Sequence, residues 1–180
     1  MGCPPNRVKS NSLFEDLVHT LETDPRLKQA YANEPAFERA VWEALHLKCC
    51  TFFGKKGASC ALLCSHSSLD LPGRSQSEWD NFLDLGHADF RIFGANKRVD
   101  FAVQHPDGHR IGIEVECFTQ ANRADAFVIG LGQTLLALGH RDRTILVGHC
   151  GSPTSAERQV LRHIADRVSE HPHVRVVLLP

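Results

Sequence analysis

Apolar positions recur at helical spacing over residues 11–32, where Leu13, Phe14, Leu17, Val18 and Leu21 form one stripe that breaks at Asp24-Pro25. A second stripe, Phe37, Val41, Trp42, Leu45 and His46, predicts a helix from about 36 to 48. Residues 49–87 are rich in Ser, Gly, Cys and Leu and hold no sustained period. They read as an irregular insertion with at most a short helix at 77–84. From residue 88 the period changes to two, which predicts strands at 88–94, 97–104 and 109–117. A helix at 123–138, a strand at 144–148, a helix at 154–170 with Val160, Leu161, Ile164, Ala165 and Val168 on one stripe, and a strand at 174–179 follow. This order implies one α/β domain over 1–180: a mixed central sheet with an antiparallel three-strand meander, flanked by helices. Residues 1–35 read as an N-terminal helical addition.

The hairpin between the second and third strands carries the most information, because its turn chemistry and its alternation select the same register. Pro106 suits the second position of a type I turn and Gly108 the left-handed residue after it, which sets His105 against His109. Val99 then pairs with Val115, Phe101 with Ile113 and Val103 with Ile111, giving one wholly apolar face. A two-residue Asp107-Gly108 loop would set Val99 against Glu116 and Phe101 against Glu114, mixing apolar and charged partners.

On the opposite face the same register places Arg98 by Glu116, Asp100 by Glu114 and Ala102 by Gly112. Opposed side chains sit roughly 5 Å apart at Cβ, so adjacent carboxylates cost stability unless a proton or cation compensates them. A hard divalent cation does this with one or two protein carboxylates, water and phosphate oxygens. A solvated polar face neutralised by Arg98 is the plainer reading. The small Ala102 and Gly112 favour the first, since they leave room above the carboxylates.

Composition narrows the remaining classes. The 20 Lys and Arg nearly balance 21 Asp and Glu, giving a formal net charge of −1, so whole-chain charge does not by itself mark a nucleic-acid binder. No apolar run approaches the roughly 18 residues of a membrane span, and no secretory or myristoylation pattern opens the chain. Seven cysteines, an odd number, fit free thiols in the cytoplasm. Cys60, Cys64 and His66, with Cys49 and Cys50 upstream, have loose spacing for a zinc site, and zinc is not expected.

With Val99-Asp100, thirteen intervening residues and Glu114-Val115-Glu116, the chain resembles the PD-(D/E)XK nuclease superfamily. The resemblance covers residues 36–149 and implies a restriction-endonuclease-like core. It further implies a Mg²⁺-dependent endonuclease acting on DNA, with Mn²⁺ as a substitute metal, RNA still open as substrate, and a homodimer compatible with cutting both strands. Carried onto this sequence, Asp100, Glu114 and the carbonyl of Val115 are the expected metal ligands, joined by Glu38 of the first core helix. Glu116, standing where lysine is usual, is the expected partner of the attacking water. Gln133 matches a glutamine some members place on the helix after the third strand. Arg98, Lys55, Lys56, Arg123 and Arg141 are candidates for backbone phosphates, and Arg158 and Arg162 form a basic i,i+4 row. The same fold without catalysis, as a nucleic-acid-binding module or an assembly domain, is the alternative.

Overall fold

The computed structural model describes residues 10–64, 99–118 and 123–180. Helix α1 (Ser10–Thr23) ends where Asp24 accepts the Arg26 N–H at 2.9 Å and opens a 3₁₀ turn over Pro25–Lys28. Helix α2 (Glu34–Ala61) starts at the cap Asn33, whose side chain accepts the Ala36 N–H at 3.0 Å. It continues past Lys48, through a kink at Gly54 (φ 70°), where the sequence pattern predicts irregular chain. Cys49 and Ala58 are buried beyond Lys48, with Phe52 and Phe53 packed on the core. Small and sulfur-bearing residues carry that side of the helix, which is why hydropathy spacing does not register it.

A strand, β1 (Leu62–Cys64), follows directly and also falls in the stretch expected to be irregular. The strand expected at 88–94 and the short helix at 77–84 lie outside the described residues. β2 (Phe101–Gln104), β3 (Arg110–Cys117), β4 (Arg143–His149) and β5 (Val174–Leu179) complete a five-stranded mixed sheet in the order β1-β2-β3-β4-β5. β1 and β3 run antiparallel to β2, while β3, β4 and β5 are mutually parallel. Parallel neighbours require crossovers, supplied by α3 (Arg123–Ala137) and α4 (Ser155–Ser169).

The sheet separates two cores. Ile111, Ile113 and Val115 of β3, Ile145 and Val147 of β4, and Val177 and Leu179 of β5 meet α1 and α2 on one face. On the other, Leu146 packs with Phe118, Ala126, Phe127 and Leu161. The N-terminal helix expected as an addition is therefore part of the main core: Leu13, Phe14, Leu17 and Leu21 are fully buried. Helix α3 keeps Val128, Ile129, Leu135 and Leu136 exposed on its outer side. Among the described residues no helix is long and apolar enough to cross a membrane.

The hairpin has the predicted turn. His105 N–H donates to the His109 carbonyl at 2.8 Å, Gly108 N–H to the His105 carbonyl at 2.9 Å, and Gly108 has φ 96°. The pairs Phe101↔Ile113, Ala102↔Gly112 and Val103↔Ile111 are as expected. The further pairings are corrected: the ladder ends at Phe101↔Ile113, so Asp100 with Glu114 and Val99 with Val115 do not continue it.

Candidate active site

The end of that ladder positions the acidic residues. Because His105 and His109 are a hydrogen-bonded pair, alternate pairs up to 101–113 are too, and Val115 directs its N–H and C=O to the β2 side. With the strand finished, the Asp100 carboxylate replaces a backbone acceptor: Val115 N–H donates to Asp100 Oδ2 at 2.7 Å. Asp100 is thereby fixed on the backbone next to Glu114 in the chain of β3, and the two acidic residues are only 6% and 3% exposed.

The face bearing Glu114 and Glu116 is covered by α3, which leaves Glu114 buried and Glu116 half-buried. The Gln133 side-chain amide donates to Glu114 Oε1. One turn earlier on the same helix, Gly130 admits the Glu116 side chain, since a Cβ there would lie 2.7 Å from Glu116 Cγ and 3.0 Å from Leu146 Cδ1. The backbone amide and Gln133 stabilise two buried carboxylates that burial alone would strongly disfavour as charged groups. Asp100 is thus bonded to the backbone of Val115 and Glu114 to Gln133, on successive residues of β3, with Glu116 two residues beyond Glu114 along the same strand.

Glu38 is also buried but comes from α2, on the other face of the sheet. There, burial pushes the Cys117 thiol up to about 12, and the charges of Glu34, Glu116 and Glu38 push it the same way. A half-buried setting among carboxylates disfavours the Cys117 thiolate, the form in which a cysteine acts as a nucleophile. Glu34, which the sequence did not mark, accepts the Cys117 N–H at 3.2 Å and docks the start of α2 on the end of β3. An acidic first-turn residue is ordinary helix chemistry, so its sequence signal is weak. Among the described residues no three His, Cys, Asp or Glu side chains gather into a cation-holding group.

The basic candidates scatter. Arg98 lies outside the described residues. Lys55 and Lys56 are exposed beyond the kink of α2, between about four and five helical turns from Glu38. Arg123 is buried and ion-paired with Glu157 at 2.7 Å. Arg141 is buried too, and its stem fills the space over Gly112: a Cβ there would lie 3.2 Å from Arg141 Cγ. The room expected above Gly112 is therefore taken by Arg141, whose Nη1 donates to the His140 carbonyl at 2.9 Å. Of the cysteines once weighed for zinc, Cys49 is buried, and burial drives its thiol up to about 12. The chain matches no family model, no curated protein and no solved structure.

Proposed function

We propose that this chain is a Mg²⁺-dependent nuclease of the PD-(D/E)XK type that hydrolyses phosphodiester bonds of DNA. The observation that carries the reading is the buried Asp100 and Glu114 pair, one held by the Val115 N–H and the other by Gln133. The order α2-β1-β2-β3-α3-β4, with β1, β2 and β3 antiparallel, supports a restriction-endonuclease-like core. Two carboxylates and a main-chain carbonyl are the oxygen donors a hard cation prefers, and a cation offsets the charge that burial concentrates there. Asp100, Glu114 and the Val115 carbonyl would hold Mg²⁺ or Mn²⁺, while Glu38, carried by α2 on the other face of the sheet, is not part of that shell.

Held there, the cation would supply Lewis acidity toward the phosphate and toward water. Gln133 is a positioning residue that fixes the Glu114 carboxylate. Glu116, less buried than Glu114, is the base that orients and deprotonates the attacking water. Free thiols at Cys49, Cys50, Cys117 and Cys150 suit a reducing cytoplasm, and a homodimer would supply one site per DNA strand.

A noncatalytic nucleic-acid-binding module is the second reading. It is favoured by Glu116 in the usual lysine position and by the separation of Glu38 onto the other face. Nicking of supercoiled plasmid in Mg²⁺ separates them. The wild type is expected to cut and Asp100→Ala and Glu114→Ala to lose cutting; undiminished cutting in either variant refutes the site. Salt-sensitive DNA binding without cutting by the wild type would establish the module instead, and neither property would leave an assembly domain. The same assay on RNA fixes the substrate class.

A further inference from the structure

A cavity of about 50 Å³ lies where α4 passes the C-terminal ends of β4 and β5, lined by Cys150, Arg158, Leu161, Arg162, Leu178 and Pro180. Arg158 and Arg162 stand one turn apart on α4, and among the described residues neither guanidinium has an ion pair or hydrogen bond. Both line the hole beside the buried Cys150, whose thiol is pushed up by burial and drawn back by the charges of Arg158, Arg123 and Arg162. Glu157, next to Arg158 in the chain, is already engaged: it pairs with Arg123 at 2.7 Å and accepts the Thr154 N–H and hydroxyl at 2.8 Å each.

Size and charge together restrict the occupant. The hole is far below the roughly 300 Å³ at which pockets for larger organic ligands begin. It exceeds the roughly 10–15 Å³ that a single water needs on the same measure. Arginine forks match the tetrahedral oxygens of phosphate by paired N–H donors. Leu178 is in register with Gly148, and Gly148 with Glu116. Two strand spacings therefore put Leu178, at the wall of the hole, about 10 Å from Glu116 at the backbone. The Phe118 ring covers Gly148 between them and keeps the two sites distinct.

We propose that this cavity binds a phosphate group through Arg158 and Arg162, and that it anchors a non-scissile phosphate of the strand being cut. The second half rests on the nuclease reading; phosphate capture does not. Inorganic phosphate titrated into ¹⁵N-labelled full-length protein at constant ionic strength, without metal, should give saturable shifts at the Cys150 and Leu178 amides. Affinity should fall at least tenfold in Arg158→Gln/Arg162→Gln and be kept in Arg167→Gln, an exposed change on the same helix. Equal shifts with chloride, or shifts retained in the double variant, overturn the proposal. Arg162→Lys, which keeps the charge, should retain partial binding, and its behaving like Arg162→Gln with intact circular dichroism would count against a phosphate contact.

The strand arm uses a single-stranded oligonucleotide and a Glu114→Gln background that silences cleavage. Adding the two arginine changes should flatten the slope of log affinity against log salt by about 0.7, one phosphate contact. Lost phosphate binding with an unchanged oligonucleotide slope would overturn strand anchoring and identify free phosphate as the ligand. An inactive wild type would end the nuclease reading and leave the phosphate titration intact, so the two failures are distinguishable.

Discussion

Two glycines of α3 allow the packing of the site to be tested with a single type of substitution. Gly132 has nothing within 4 Å of an added Cβ, so Gly132→Ala should express only the helix preference of alanine, a gain of about 0.8–1 kcal/mol. At Gly130 the same Cβ would meet Glu116 Cγ at 2.7 Å and Leu146 Cδ1 at 3.0 Å. Leu146 is fully buried and cannot yield freely, and overpacking of this kind costs about 1–3 kcal/mol. Against the helical gain, Gly130→Ala should come out between neutral and about 2 kcal/mol destabilised, separating the two variants by about 1–3 kcal/mol. For a chain of this size each kcal/mol moves Tm by about 2–4 °C, so thermal melts followed by circular dichroism resolve the difference. Gly130→Ala should also displace Glu116 and depress cleavage, with Gly132→Ala as control. Equal upward shifts in Tm for both variants would refute the docking of α3 over Glu116.

Gln133→Leu removes the donor to a buried carboxylate and should cost about 1–3 kcal/mol in urea unfolding while lowering cleavage; wild-type stability and activity would show that Gln133 does not position Glu114. Burial lowers the His149 imidazole below its ordinary range, against a weaker upward pull from its bond to the Gln29 carbonyl. The unfolded chain then binds this proton more tightly than the folded one, so the stability due to neutral His149 is complete above about pH 6.5 and is lost as pH falls through the folded value. Urea midpoints at pH 7.5 and 5.5 should differ less in His149→Gln than in the wild type, and an unchanged difference would remove His149 from the acid response. Asp100→Ala should abolish metal-dependent cleavage and, by freeing the Val115 N–H, also lower stability by about 1–3 kcal/mol; a stable but inactive variant would show that the carboxylate serves chemistry alone.

The hairpin was legible because everything that specifies it is local: Gly108 needs positive φ, Pro106 fixes the residue before it, and alternation decides which partners are compatible. Gln133 was legible as a position on a helix following a strand, although its contact with Glu114 was not. The second half of α2 escaped notice because Cys49, Ala58 and the small residues around them carry little hydropathic contrast. β1 is too short to show a period at all, at Leu62–Cys64. The basic residues were legible only as charges. Whether an arginine faces solvent or lies under a helix depends on partners far along the chain, such as Glu157 for Arg123 and the bare backbone of Gly112 for Arg141.

By itself the sequence determined the alternation that places Glu114 and Glu116 on one face of β3, the turn that sets the register of Phe101 with Ile113, and the α/β order that supplies crossover helices. Those are consequences of periods of two and 3.6 and of a single turn. Only the tertiary structure decided that α3 closes over the acidic face, that Gln133 reaches Glu114, that Glu38 and Glu34 approach from the opposite face, and that two arginines of α4 line a small hole beside Cys150. Each of these is a contact between elements distant in sequence, set by which side chains fill the space between helix and sheet, and no local period encodes it.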